Sequence, residues 1–295
     1  MSTSSLSISL VLGSGGARGH AHIGVIRAIE ERGLVIRNIA GTSMGAVIGG
    51  IYASSKLDTY VDWANRLEKK DIVRLLDFSF TWTSLFKGER IFEVLEDLVG
   101  DRKIEDLNLG YTAVATALEE QREIWLSRGS LFSAMRASTA VPGFFSPVEL
   151  NGYSLVDGGL INPIPIAPTL NDNTDLTIAV NLSGMSNNYR PKKKVEKKAP
   201  TASDSSYRNE ITRFIGGMFE KEDKQSSSAD ATEILTKSID VMQGAIARLK
   251  LGAYAPQKII EIPRDACSFF EFHRAEEMAD LGYKNAKKAL DDLGL

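Results

Sequence analysis

Five consecutive residues raise the first chemical question: Gly41-Thr42-Ser43-Met44-Gly45. They fit G-x-S-x-G, the pattern of a serine carried on a sharp strand-to-helix turn with its hydroxyl exposed and its backbone at unusual angles. Gly41 and Gly45 let neighbouring backbone come close. A helix starting after Ser43 aims its partly positive N-terminus at the site, which favours an alkoxide or oxyanion there. This is the equipment of a nucleophile for acyl transfer. The competing reading is a glycine-rich turn in which Ser43 only caps a helix.

A second glycine cluster lies upstream, Gly13-Ser14-Gly15-Gly16-Ala17-Arg18-Gly19. Such a loop turns several backbone N–H groups toward one point, where they bind a phosphate or the oxyanion of a tetrahedral intermediate. Gly13, Gly15 and Gly19 also suit a dinucleotide site, because they follow one strand and precede a helix. That site expects an acid at the end of the next strand to hold the ribose. Here the next strand ends at Ala40-Gly41 and runs into the serine turn instead, so the oxyanion reading is preferred.

An activated serine needs a base. The chain has three histidines, His20, His22 and His273. In the usual order for such an elbow the histidine follows the serine, and only His273 does. It reads more naturally as a capping or surface residue, while His20 and His22 read as supports for the glycine loop. A carboxylate is the other option: Val156-Asp157-Gly158-Gly159 follows a strand, and its glycines again permit close approach. Taken alone, an Asp-Gly pair is commonly an Asx-turn that only bonds its own loop. Glycine loop, serine elbow and Asp-Gly-Gly turn together are far more specific than any one of them.

The elements that must position these residues follow from hydrophobic periodicity. Ser7–Leu12 is a short β-branched strand, and His22–Arg32 is a helix with Ile23, Ile26 and Ile29 on one face, stopped by Gly33. Val35–Ala40 is a second strand, and Met44–Ala53 a helix of small residues. Helices follow over 57–76 and 89–98, then strands over 111–117 and 123–126 and a helix over 130–139. A hairpin spans 145–150 and 153–156 around Asn151-Gly152. A strand over 176–182, a helix over 233–251, a strand over 258–262 and a helix over 275–293 complete the chain. Strand, loop and helix in repetition predict a mainly parallel sheet covered by helices.

Residues 185–232 break the pattern with Lys192–Lys194, Lys197, Lys198 and several serines. They read as a mobile insertion or lid within one domain of 295 residues. An apolar helical face of Ile211, Phe214, Ile215, Met218 and Phe219 lies inside it, so 190–222 is a candidate peripheral membrane contact; a helix packed on its own domain beside a solvated linker is the alternative. Phe144, Phe145, Leu85 and Phe86 are candidates for an acyl channel, with core packing the preferred role for most.

Composition removes several function classes. The chain is 43% hydrophobic and 25% charged with a net charge of -3, which gives no footprint for nucleic acid. One cysteine, Cys267, rules out an internal disulfide framework. With so few histidine and cysteine ligands no metal is expected, and no cofactor is called for. The opening residues lack a signal-peptide pattern and no run is apolar enough to span a bilayer. A cytoplasmic protein, with peripheral contact to a membrane, is the resulting expectation. Nothing fixes the oligomeric state.

The three motifs, Ser14–Gly19, Gly41–Gly45 and Asp157–Gly159, stand in the order and spacing that resemble the patatin-like phospholipase family. The resemblance covers about residues 8–183, with a similar tail from Ile259 to Ala289. It implies a three-layer α/β/α sandwich with a mainly parallel central sheet, and a Ser-Asp dyad acting on lipid or other acyl esters. By that resemblance Ser43 is the nucleophile and Asp157 takes its proton. The backbone N–H groups of Gly15, Gly16 and Ala17 hold the oxyanion, and Arg18, Gly19, Gly41, Gly45, Gly158 and Gly159 support the motifs. Many members have glycine where this chain has Ser14. Arg18 matches the family's basic position, with a structural role preferred over a head-group contact. Two function classes stay open: a lipid acyl hydrolase, and a lipid-binding regulator that keeps the fold without turnover.

Overall fold

A parallel strand can pair with its sequence neighbour only through a crossover, and the helices of the first 53 residues supply two. β1 (Ser7–Leu12) leads through a glycine loop and a 3-10 turn (Gly16–His20) into α1 (Ala21–Glu31). Gly33, at φ 69°, ends α1: its N–H reaches Glu30 O at 2.9 Å and the Leu34 N–H reaches Ile29 O at 3.3 Å. That is the Schellman closure, which needs a left-handed residue at this position. β2 (Val35–Thr42) then lies parallel to β1 and runs straight into α2 (Met44–Ala53).

The computed structural model describes residues 5–75, 89–186 and 228–295. The described residues up to 186, with 239–295, form one compact unit. Residues 190–238 form a second, of which 228–238 are described, as the opening turns of a helix. After α2 come α3 (Leu57–Ala64), α4 (Lys69–Leu75), α5 (Glu89–Val99), β3 (Gly110–Ala117), β4 (Arg122–Leu126) and α6 (Leu131–Ser138). β5 (Val148–Leu150), β6 (Tyr153–Asp157), β7 (Leu176–Gly184), α7 (Ser228–Tyr254), β8 (Lys258–Pro263) and α8 (Ala275–Asp291) complete the set.

Among the described residues eight strands form one mixed sheet, in the order β5-β6-β3-β2-β1-β7-β8, with β4 also paired to β3. The pairs among β3, β2, β1, β7 and β8 are parallel, and those of β4, β5 and β6 antiparallel. Helices cover both faces. Alternation along β1 and β7 sets the layers: Leu10, Leu12, Ile178 and Val180 join the core shared with α1, α2 and α8, whereas Val11 and Ala179 pack with Ala247 of α7. The α/β/α sandwich expected from the sequence is therefore present.

One detail of register places the site. β2 runs along one edge of β3 as far as Thr42, which pairs with Val114. β6 comes the other way and ends with Asp157 opposite Ala115. β4 pairs with Val114 and Ala115 as well. A strand has two edges, so β2 and β6 must share the other one and meet end to end at adjacent residues of β3.

The main departures concern boundaries. α7 starts at Ser228, inside the segment read as insertion, because its first turn, Ser228-Ala229-Asp230-Ala231, carries small residues without a large apolar stripe. The first strand of the hairpin is shorter than expected: Phe144 and Phe145 close a turn on Val141 O instead of extending it. Leu85, Phe86 and the proposed 190–222 contact lie outside the described residues. Among the described residues no helix is long and apolar enough to cross a membrane.

Candidate active site

Ser43 sits between β2 and α2 at φ 55° and ψ -125°, a conformation L-residues avoid, and the fold holds it there from three sides. Its N–H donates to Ser138 Oγ at 3.0 Å, and that hydroxyl donates to Val114 O at 2.6 Å. Thr42 Oγ1 donates to Asn162 O at 2.9 Å, and Tyr111 OH to Ala46 O at 2.8 Å. Gly45 packs on the end of β1 so closely that a Cβ would overlap the Leu12 carbonyl, and one on Gly41 would lie 2.6 Å from Gly45 C and O. The elbow is thus clamped between β1, β3 and α6.

Asp157 ends β6. Its N–H donates to Ala140 O at 2.9 Å, and its own carbonyl accepts from Thr116 Oγ1 at 3.0 Å. Gly158 lies against Val114 O with no room for a side chain. Oδ1 accepts the Gly159 N–H at 2.6 Å, while Oδ2 is buried and, among the described residues, lacks a partner of full hydrogen-bond geometry. Burial pushes the carboxyl up to about 7, against the opposing pull of the nearby Ser43 hydroxyl and the Gly159 N–H. Ser43 therefore bears on the titration of Asp157 without meeting strict hydrogen-bond geometry. Both residues are buried.

The glycine loop closes the third side. Gly13 N–H donates to Val180 O at 3.1 Å and Ser14 N–H to Pro163 O at 2.8 Å. The Gly15 and Gly16 N–H groups have no acceptor among the described residues. Ala17 does not belong with them: its N–H is donated to Phe269 O at 2.9 Å, which removes it from the expected donor set. The Met44 N–H, first in α2, has no acceptor among the described residues either, and sequence reasoning passed over it although it directly follows the serine.

The remaining motif residues build the loop. Arg18 is buried, with Nη1 on Arg264 O at 2.8 Å and Nη2 on the Asp240 carboxylate, and Gly19 packs on Met44. His20 lies 3.0 Å from both Ala17 O and Tyr60 OH, and His22 Nε2 lies 2.9 Å from Gly13 O. Burial lowers both to about 4, so they are neutral at pH 7 and donate to loop carbonyls. His273 lies in the 3-10 turn Phe272–Arg274 ahead of α8. Phe144 packs with Phe270 at 4.8 Å between centroids, in a small cluster that also holds Val141 and Ile239. The cluster touches the loop, since Gly16 lies against the Phe269 ring. Ser138, Asn162, Gln243 and Phe269 carry no motif that would announce them. A cleft of about 540 Å³ opens at the other end of the parallel strands, lined by Arg37, Asn38, Gly110 and Asp172 among others, and contains none of the motif residues.

The sequence matches the patatin-like phospholipase family over residues 10–170. It is 36% identical to an uncharacterized NTE family protein of Mycobacterium tuberculosis, over 98% of this chain and 92% of that protein. It is also 36% identical to the neuropathy target esterase sws of Drosophila melanogaster, over 54% of this chain and 12% of that protein. Among solved structures, VipD from Legionella pneumophila superposes with a TM-score of 0.54 at 13% identity, over 98% of this chain and 67% of that one, a likeness of fold. With its three motifs in one sheet-end constellation, the chain belongs to the patatin-like phospholipase family.

Proposed function

We propose that this protein hydrolyses lipid esters through a Ser43–Asp157 dyad and an acyl-enzyme intermediate. The observation that carries the reading is the pairing of a serine on a strained elbow with a buried carboxylate titrating near 7. An ordinary carboxylate, near 4, is a poor base for a hydroxyl; one near 7 is matched to proton transfer at physiological pH.

In the proposed cycle Ser43 Oγ attacks the acyl carbonyl while its proton passes to Asp157 Oδ2. The tetrahedral oxyanion is held by the Gly15 and Gly16 N–H groups, with Met44 N–H as a third donor at the N-terminus of α2. Collapse of the intermediate breaks the ester C–O bond, and the leaving alkoxide takes the proton from Asp157. Water then attacks the acyl-enzyme and gives a proton to Asp157; release of the acid returns it to Ser43. The family and the esterase among its relatives support a lipid ester as the substrate class. The 190–222 segment is proposed as a peripheral membrane contact.

Labelling with a fluorophosphonate probe tests the nucleophile, with Ser43→Ala as control and a lipid panel with product identification to follow. Ser43-dependent labelling and turnover are expected, abolished in Asp157→Asn and retained in His273→Ala. A folded wild-type protein that stays unlabelled refutes the hydrolase, and a dead but folded His273→Ala variant refutes the dyad. Deleting 190–222 is expected to reduce turnover on vesicles more than on a soluble ester; equal loss on both refutes the membrane contact.

A further inference from the structure

An oxyanion loop made of glycines has a conformational problem. Donors must stand within tenths of an ångström of the developing charge, and glycine backbone is the most permissive there is. Two side chains of α7 address it. Ser14 Oγ donates to Gln243 Oε1 at 3.2 Å, with both residues buried. Four residues on, Arg18 pairs with Asp240. Asp240 and Gln243 are three apart and share one face of the helix. Ser14 and Arg18 bracket Gly15 and Gly16, whose N–H groups have no acceptor among the described residues. The loop is thus gripped on both sides of its donors by a single helix.

The grip reaches the carboxylate too. A Cβ on Gly159 would lie 2.5 Å from Gln243 Nε2, 2.8 Å from Ser14 Oγ and 2.9 Å from Asp157 Oδ1. The second glycine of the Asp-Gly-Gly turn therefore leaves the space that the Gln243 amide fills. Loop, helix and acid turn meet at that one point.

We propose that Gln243 is a positioning residue of the Ser43 site, which fixes the Gly15–Gly16 donors through Ser14 as one arm of a two-point clamp whose other arm is Asp240 on Arg18. The proposal rests on the hydrolase reading above. Gln243 acts through Ser14 and the loop rather than on the substrate, so it governs the chemical step and not binding.

The test compares Gln243→Ala, Ser14→Ala and the double variant on a soluble short-chain ester, with rates normalised to active sites by fluorophosphonate titration and with thermal melts alongside. Loss of one oxyanion donor lowers kcat about 10²–10³-fold, and a loosened loop loses less. The expected result is a fall in kcat of about tenfold with KM within about twofold. The double variant is expected to be no slower than the worse single, because both remove the same bond. Gln243→Met keeps the length without the acceptor and serves if the alanine variant does not fold. A raised KM at unchanged kcat overturns the proposal in favour of a substrate contact. Multiplicative losses overturn the Ser14 link, and a shifted melting temperature with unchanged kcat per active site reduces the pair to packing. These outcomes presuppose Ser43-dependent turnover in the wild type; its absence overturns the hydrolase reading itself, and the clamp with it.

Discussion

Asp157→Asn separates stability from activity at a single carboxyl. Folding moves this group from an ordinary 3.8 to about 7, because the ionised form is buried and, among the described residues, only the Gly159 N–H meets it in full bonding geometry. Between those two values the unfolded chain holds fewer protons than the folded one. Stability therefore falls as pH rises through the window and levels off above about 7. At roughly 1.4 kcal/mol per pH unit, the whole span corresponds to about 4 kcal/mol at most. Asparagine keeps an oxygen for Gly159 and carries no charge, so the variant escapes this loss. Its advantage over wild type is expected to grow by about 2–3 kcal/mol between pH 5 and pH 8.5, read as the change in urea midpoint at constant slope. Turnover is expected to fall by about 10²–10⁴-fold, the usual worth of a positioned base. The wild-type kcat/KM should rise through pH 7 and level off as Asp157 ionises. A pH-independent stability gap, or a variant losing ground as pH rises, means that the carboxylate is already ionised and well solvated at pH 5. Asp157 is then not a base matched to neutral pH.

Three further expectations follow from the same geometry. Ser43→Gly should be more stable than Ser43→Ala by about 1–2 kcal/mol in denaturant unfolding, since glycine accepts the φ 55° elbow and alanine does not; equal stabilities contradict a strained elbow. Gly45→Ala should destabilise by at least about 2–3 kcal/mol or prevent folding, because its Cβ overlaps backbone oxygen rather than a movable side chain. A neutral effect on the melting temperature refutes that close approach. His20 and His22 titrate near 4 when folded and near 6.5 when not, so the stability they contribute is full above about 6.5 and lost as pH falls toward 4. Asp157 acts in the opposite sense over an overlapping range, so the loss should be steeper in the Asp157→Asn background, and a flat acid limb there refutes neutral burial of the two imidazoles.

What could be read in the sequence was local, and what could not was made by partners far along the chain. The elbow announces itself within five residues because glycine spacing and a following small-residue helix are properties of adjacent positions. The Schellman end at Gly33 and the strand before the first loop are legible for the same reason. Ala17 marks the limit: its sequence neighbours suggest a third donor, but the carbonyl that takes its N–H belongs to Phe269, more than 250 positions away. Ser138 holds the backbone of Ser43 from 95 residues downstream, as an unremarkable serine near a helix end. Gln243 bonds Ser14 across 229 residues. The two loop histidines lie between these cases, since their position beside the glycine run hints at support, but only the fold shows which carbonyls they bind.

The sheet gives a physical basis for the proposed Ser43–Asp157 dyad. Asp157 lies 114 residues after Ser43 in sequence, yet β3 brings the ends of β2 and β6 to Val114 and Ala115 along one edge. Two strands approaching end to end leave little space between the residues that terminate them, and hydrogen bonds from Ser138 to Val114 and from Thr116 to Asp157 fasten each terminus to the same template strand. The same closeness buries the carboxyl, and burial is what raises it toward neutrality. Proximity and basicity thus have one origin. A substitution that splays β2 from β6 by admitting water between them, such as Ser138→Gly, is expected to lower the Asp157 titration and the kcat/KM limb together. A lowered rate with the limb still near 7 means that the two are set independently, and the common origin in the shared edge of β3 is then wrong.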